Sequence, residues 1–203
     1  MVAEAHDIQQ LKSPSGIEIW LKEAHDLPVA TVNFAIHVPL GIYETFPSPL
    51  HVLGTTAMLR GTKTLDERSF LQQMQRYSIS FSFSTKPILG NGNLFGNLKF
   101  LTKYKSEAQK LVNSALIEPR FDQSSVERLK RSAIGNIQDS LSSPEFYTEL
   151  IVNEQIFSDE HPQGHLYGVK DIEKVSTADL KSWHEALLFR DLLKVVIVGD
   201  FSA

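Results

Sequence analysis

Two short stretches of strict alternation near the start of the chain limit its fold more than any other feature. Residues 17–22 read Ile-Glu-Ile-Trp-Leu-Lys, with Ile17, Ile19 and Leu21 on one side; residues 30–38 place Val32, Phe34, Ile36 and Val38 together in the same way. Side chains alternate across a strand, so a period of two marks a sheet with one covered face, as in antiparallel sheets. Ser13-Pro14-Ser15-Gly16 reads as the turn from an earlier strand. Residues 79–84, Ile-Ser-Phe-Ser-Phe-Ser, alternate again, and residues 93–100 read as their hairpin partner across the turn Gly90-Asn91-Gly92. Leu193 to Val198 is almost continuously apolar and reads as a strand buried on both faces.

Between the strands the period lengthens to that of a helix. A short helix is expected within residues 50–60. Thr64-Leu65-Asp66-Glu67 reads as a capping box, followed by Phe70, Leu71, Met74 and Tyr77 on one helical face. Tyr104, Ala108, Leu111, Val112 and Ala115 form a second stripe that Pro119 ends. Asp122 is placed to cap a helix carrying Val126, Leu129, Ala133, Ile137 and Leu141, and Ser143-Pro144-Glu145 restarts one with proline in its first turn. Ser176 and Asp179 cap a last helix bearing Leu180, Trp183 and Leu187. The order β-β-β-α-α-β-β-α-α-α-α-β predicts an α+β fold, a mostly antiparallel sheet covered on one face by helices.

Composition narrows what such a fold does. With 203 residues the chain suffices for one sizeable domain. A net charge of −4 with dispersed Lys and Arg excludes a basic nucleic-acid surface. Apolar runs are too short to span a bilayer. The absence of cysteine removes disulfides, thiolate ligands and cysteine nucleophiles. Met1 to His6 has neither the basic start nor the apolar core of a signal peptide. The chain stops at Ala203, just past a strong strand, and reads as a piece of a longer chain.

Several phrases, taken in order, resemble the insulinase/pitrilysin/mitochondrial-processing-peptidase family. Leu11-Lys12-Ser13-Pro14-Ser15-Gly16-Ile17-Glu18-Ile19 resembles its first hairpin, L-x-N-G-L-x-V. Met58-Leu59-Arg60-Gly61-Thr62 is similar to the M-L-F-K-G-T that closes its catalytic helix, and Glu118-Pro119-Arg120-Phe121-Asp122 to the x-P-x-F that opens its longest helix. His161-Pro162-Gln163-Gly164-His165 resembles its H-P-x-G loop, and Val196-Ile197-Val198-Gly199-Asp200-Phe201 its V-V-x-G-D-F strand. The resemblance implies that residues 1–203 are a single N-terminal module of a two-module chain. Such modules pair into a clamshell.

Active members of the family carry H-x-x-E-H, in which histidines four apart on a helix hold Zn²⁺ and the glutamate serves as base for a zinc-bound water. Carried over through Gly61-Thr62, the motif falls on Val52-Leu53-Gly54-Thr55-Thr56. The ligand positions hold Val52 and Thr56, the base position Thr55, and the third ligand position, counted from Phe121-Asp122, holds Asn136. A shift of one residue brings in His51 and repairs nothing, because Leu50 to Leu65 contains one histidine and no acidic residue. His51 alone reads as a surface or capping histidine.

Other constellations have plainer readings. His161 and His165 are four apart but separated by Pro162 and Gly164, which favours a structural loop over a metal site. Ser158, Asp159 and Glu160 read as a solvated acidic step, and Phe81 and Phe83 as core more than as the lining of a peptide groove. No G-x-S-x-G elbow is present, and Gly90-Asn91-Gly92 precedes a strand without the lysine of a phosphate loop.

The resemblance therefore implies a chain with no zinc or other cofactor of its own. Its expected role is partner subunit to a zinc-bearing relative, the two closing around peptides. The alternatives are a scaffold or assembly protein that uses the fold for interaction only, and an active zinc metalloendopeptidase with rearranged ligands. The likeness to bacterial members, many of them exported, points to the periplasm.

Overall fold

The computed structural model describes residues 8–86, 93–157, 167–187 and 193–202. Strands β1 (Ile8–Lys12), β2 (Glu18–Glu23) and β3 (Val29–His37) come first, then helices α1 (Leu40–Thr45), α2 (Ser48–Ala57) and α3 (Glu67–Arg76). Strands β4 (Ser80–Lys86) and β5 (Asn93–Leu101) follow. Helices α4 (Lys105–Ile117), α5 (Gln123–Leu141), α6 (Pro144–Ile156), α7 (Val169–Lys174) and α8 (Thr177–Ala186) lead to the last strand, β6 (Leu193–Gly199). The expected α+β class holds, with α1 and α7 added to the helices read from the sequence.

The strands form one six-stranded sheet in the order β1-β2-β6-β3-β5-β4. All neighbours are antiparallel except β2 and β6, because β6 returns after the helices and inserts between β2 and β3. The alternation of β3 does what its period requires: Ala30, Phe34 and Val38 are buried, with Val32 and Ile36 packed beside them. In β4, Phe81 and Phe83 are buried against the ring of Phe34, at centroid distances of 6.2 and 5.8 Å. They are core, as read. The helices bring Phe70, Leu111, Val126, Leu180 and Trp183 onto this same face.

Several local expectations are corrected. β6 is not buried on both faces: it alternates, with Val196 37% and Val198 38% exposed. The N-cap of α3 is Asp66, whose carboxylate accepts from the Ser69 amide at 2.8 Å, so Thr64 lies outside the helix. Leu71 and Leu141 are exposed rather than facing the core. Asp122 holds the N-cap position of α5 without capping it, because its carboxylate is engaged by Arg120 at 2.7 Å. The Ser176–Asp179 box and the Ser143–Pro144 start are both present. The Gly90-Asn91-Gly92 turn, Ser158-Asp159-Glu160 and His161 and His165 lie outside the described residues. No described helix is long and apolar enough to cross a membrane.

Candidate functional site

Helix α2 carries the positions onto which the sequence resemblance places the zinc motif. Pro47 precedes it and Pro49 lies in its first turn, where a missing N–H costs no hydrogen bond. It packs against the edge strand β4 on one side and against α5 and α8 on the others. Its Gly54 meets the indole of Trp183 so closely that an added Cβ would lie 2.2 Å from the ring.

The structure places Val52, Thr55 and Thr56 on this helix, as the resemblance implies, and their side chains do not fit a zinc ion. Val52 offers no donor atom. The buried Thr55 hydroxyl donates to the carbonyl of His51 at 2.9 Å, with Val52 O at 3.1 Å, and Thr56 donates to Val52 O at 3.3 Å. These hydroxyls are turned back onto their own helix. Asn136 is exposed on α5. Among the described residues, no three His, Cys, Asp or Glu side chains gather in a way that could hold a metal ion.

His51 is the main correction. It is 1% exposed, a buried residue and not a surface one. The Trp183 indole N–H donates to His51 Nδ1 at 2.9 Å. Indole nitrogen can only donate, so Nδ1 carries the lone pair and Nε2 the proton, which goes to the Phe46 carbonyl at 2.9 Å. The two rings meet edge to face, 5.8 Å apart at 81°. Burial, only partly offset by the Phe46 carbonyl, lowers the His51 pKa to about 4. With both nitrogens engaged, the imidazole locks α1–α2 to α8 and presents no free lone pair to a metal. The separation of 132 positions between His51 and Trp183 hides this pair from any local reading.

Two further polar centres hold the helices around α2. Glu67 at the start of α3 accepts from Ser125 at 2.6 Å and Arg60 at 3.2 Å, and also from Arg128. Burial raises its pKa, but the bonds from Ser125 and Arg128 outweigh that and hold it below the usual carboxylate range. Lys130, also buried, donates to the carbonyls of Glu173 and Val175 at 2.8 and 3.0 Å, at the end of α7.

A mixed six-stranded sheet with helices on one face, and α2 packed against its edge strand, is the fold of an insulinase-type (M16) peptidase module. No family model matches the sequence, and no curated protein sequence matches it. Solved structures do match. The structure of a peptidase M16 inactive domain from Pseudomonas fluorescens superposes with a TM-score of 0.82 at 18% identity, over 96% of this chain and 47% of that one. Pitrilysin gives 0.75 at 18% identity, over 96% of this chain and 21% of its own. The periplasmic protease PqqL from Escherichia coli gives 0.76 at 17%, over 98% and 22%. The resemblance read in the sequence thus holds at the level of fold, and the chain spans about half or less of these structures.

Proposed function

We propose that this chain is a non-catalytic insulinase-type module that works as partner to a zinc-bearing relative, forming one wall of a clamshell that encloses peptides. The observation that carries this reading is helix α2. It keeps its position in an intact fold, while the motif positions hold an alkyl group and two hydroxyls bonded to their own helix. Such a helix supplies packing and shape and no Lewis acid. The fold's neighbour described as an inactive domain supports the same reading.

The chain would then contribute surface. Strands β1 and β4 are the outer strands of the sheet, and β4 lies beside α2. An outer strand can hold an extended peptide by strand addition, presenting it to a zinc site carried by the facing subunit.

The test is capture of the full-length protein from its native extract, followed by a peptide-cleavage assay of the eluate with and without a chelator. Chelator-sensitive cleavage together with a co-purifying zinc-bearing relative is the expected result. Cleavage by the purified protein alone would overturn the reading. No cleavage and no such partner, in an extract that contains the relative, would favour a scaffold that uses the fold for interaction only.

A further inference from the structure

Strand β6 leads into a sharp corner. Gly199 closes the strand at φ 130°, and its backbone runs so close to β3 that an added Cβ would lie 2.1 Å from the Val29 carbonyl. Main-chain bonds seat the corner. The Ala24 amide donates to Gly199 O and the Asp200 amide to Val29 O, both at 2.9 Å, and the Phe201 amide turns back to Gly199 O at 2.8 Å. The Lys105 ammonium stands 4.0 Å over the Phe201 ring. Gly199-Asp200-Phe201 is therefore where the chain takes its direction out of the sheet.

A row of side chains crosses the same end of the sheet. Gln9 of β1 donates to Glu23 Oε1 at 3.0 Å, and the Thr102 hydroxyl, just past β5, donates to Asp200 Oδ2 at 2.9 Å. His25, in the turn between β2 and β3, joins the two carboxylates. Its Nδ1 lies 2.8 Å from Asp200 Oδ1 and its Nε2 3.2 Å from Glu23 Oε2. The row ties β1, β2, the turn, the corner after β6 and the residue after β5 together. All of it lies within this chain, so it depends on no free surface and no ligand.

Counting donors fixes the charge this arrangement needs. A carboxylate only accepts, and a neutral imidazole has one N–H and one lone pair. With a carboxylate oxygen on each ring nitrogen, both nitrogens have to donate, so His25 is the imidazolium. Loss of its proton leaves a lone pair facing a carboxylate, and one of the two contacts must break. The longer one, to Glu23, is the weaker. The bond that remains to Asp200 loses its positive charge, and charge-assisted bonds are about twice as strong as neutral ones. The hydrogen bonds to Asp200 and then to Glu23 raise the His25 pKa above 6.5, against a smaller opposing effect of desolvation. Among the described residues these two carboxylates, from β2 and from the corner after β6, are the charges that act on it. Asp26 follows it on the turn, Gln9 and Thr102 are uncharged, and Lys105 is placed over Phe201. His25 and Thr102 hold Asp200 below the usual carboxylate range, so it stays ionised while His25 titrates.

We propose that His25 is a proton-gated clasp, which holds the Gly199-Asp200-Phe201 corner stiffly to the β1–β2 side of the sheet while it is charged and slackens it when neutral. The sign is opposite to that of His51. The clasp is fully set below pH 6.5, as long as the carboxylates remain ionised, and is lost as pH rises through the raised folded value. The direction of the chain beyond the corner is then stiffer in mild acid than in mild alkali. The clasp goes beyond the clamshell reading and does not depend on it.

The test is NMR of the full-length protein from about pH 5.5 to 9, the range in which a histidine of raised pKa titrates. It reads the His25 ring signals and the protection factors of the Ala24 and Asp200 amides, with amides of β4 and β5 as internal controls. The expected result is that His25 titrates above pH 6.5 and that protection at Ala24 and Asp200 falls several-fold as it does so, while the β4–β5 pair is unmoved. His25→Gln should abolish that step. Glu23→Gln separates a proton-gated clasp from a merely structural contact. Its amide N–H can donate to the lone pair of neutral His25 while its carbonyl still accepts from Gln9. In this variant His25 should titrate lower than in the parent, and the corner should keep its protection at high pH. Unchanged melting curves at the acid end would establish that both variants are folded. Titration of His25 at or below pH 6.5, corner protection that ignores the titration, the same fall in His25→Gln, or a Glu23→Gln variant that slackens like the parent would each overturn the proposal.

Discussion

At the scale of single residues, Gly54, Trp183 and His51 form one unit. A glycine in a helix interior ordinarily costs about 1 kcal/mol relative to alanine, so Gly54→Ala would normally stabilise. Here the new Cβ would sit 2.2 Å from the Trp183 ring, with no room for the indole to remain on His51. The clash outweighs the propensity gain. We expect Gly54→Ala to destabilise by about 1–3 kcal/mol, the usual range for overpacking, and to cost much less in a Trp183→Leu background. Urea midpoints of the two single variants and the double variant check this. His51 makes a second prediction, with a definite sign. Its pKa is depressed from 6.5 to about 4 in the folded chain, so the folded state prefers the neutral ring. The stability it contributes is complete above pH 6.5 and is lost as pH falls through the window from 6.5 to 4. The full span is worth about 3 kcal/mol on the scale of 1.36 kcal/mol per unit. Denaturation curves between pH 7.5 and 4.5 should show this loss, and His51→Gln should flatten that segment. An equally steep fall in the variant would assign the acid sensitivity to other groups, the buried His184 among them, whose pKa burial also lowers.

At the scale of elements, what could be read in the sequence divides by the range of the force that decides it. The strands β3, β4 and β5 were legible because one buried face imposes a period of two on their own residues. The helices with strong stripes, α4 and α8, were legible for the same local reason. β6 was misjudged because its open-face residues, Val196 and Val198, are apolar yet exposed, so hydrophobicity alone implied burial. Asp122 was misread as a cap because Arg120 captures its carboxylate, and the start of α3 was shifted because Asp66 rather than Thr64 reaches the Ser69 amide. The site itself was half legible. The positions Val52, Thr55, Thr56 and Asn136 are what the family resemblance implies, while the role of His51 depends on a contact made only after folding. Lys130 is a similar case on the scaffold. Its ammonium satisfies two carbonyls at the end of α7, where the helix dipole also favours a cation. Lys130→Met should keep most of the packing while leaving those carbonyls without their donor, at a cost of about 1–3 kcal/mol. The expected signature is a lower urea midpoint at unchanged slope, with faster amide exchange in α7 and α8. A variant as stable as the parent would mean that water replaces the ammonium.

At the scale of the whole molecule, the proposed role separates shape from chemistry. The sheet and the helical layer have the fold of insulinase-type modules, while the Thr55 and Thr56 hydroxyls on α2 are bonded to their own helix. If zinc belongs to a partner, metal removal should divide the two properties cleanly. A ligand that binds only the folded state raises stability by RT ln(1 + [L]/Kd), about 4 kcal/mol at a thousandfold excess over Kd. A chain without a zinc site should show none of this. We therefore expect the melting temperature of the isolated protein to move by less than about 1 °C on adding either a chelator or a slight excess of zinc, while the same chelator abolishes peptide cleavage by the assembled pair. Differential scanning calorimetry of the protein alone, run beside the cleavage assay, gives both readings. A chelator-dependent drop of several degrees in the isolated chain would place a metal on this subunit, held by ligands away from α2, and would turn attention to His161 and His165.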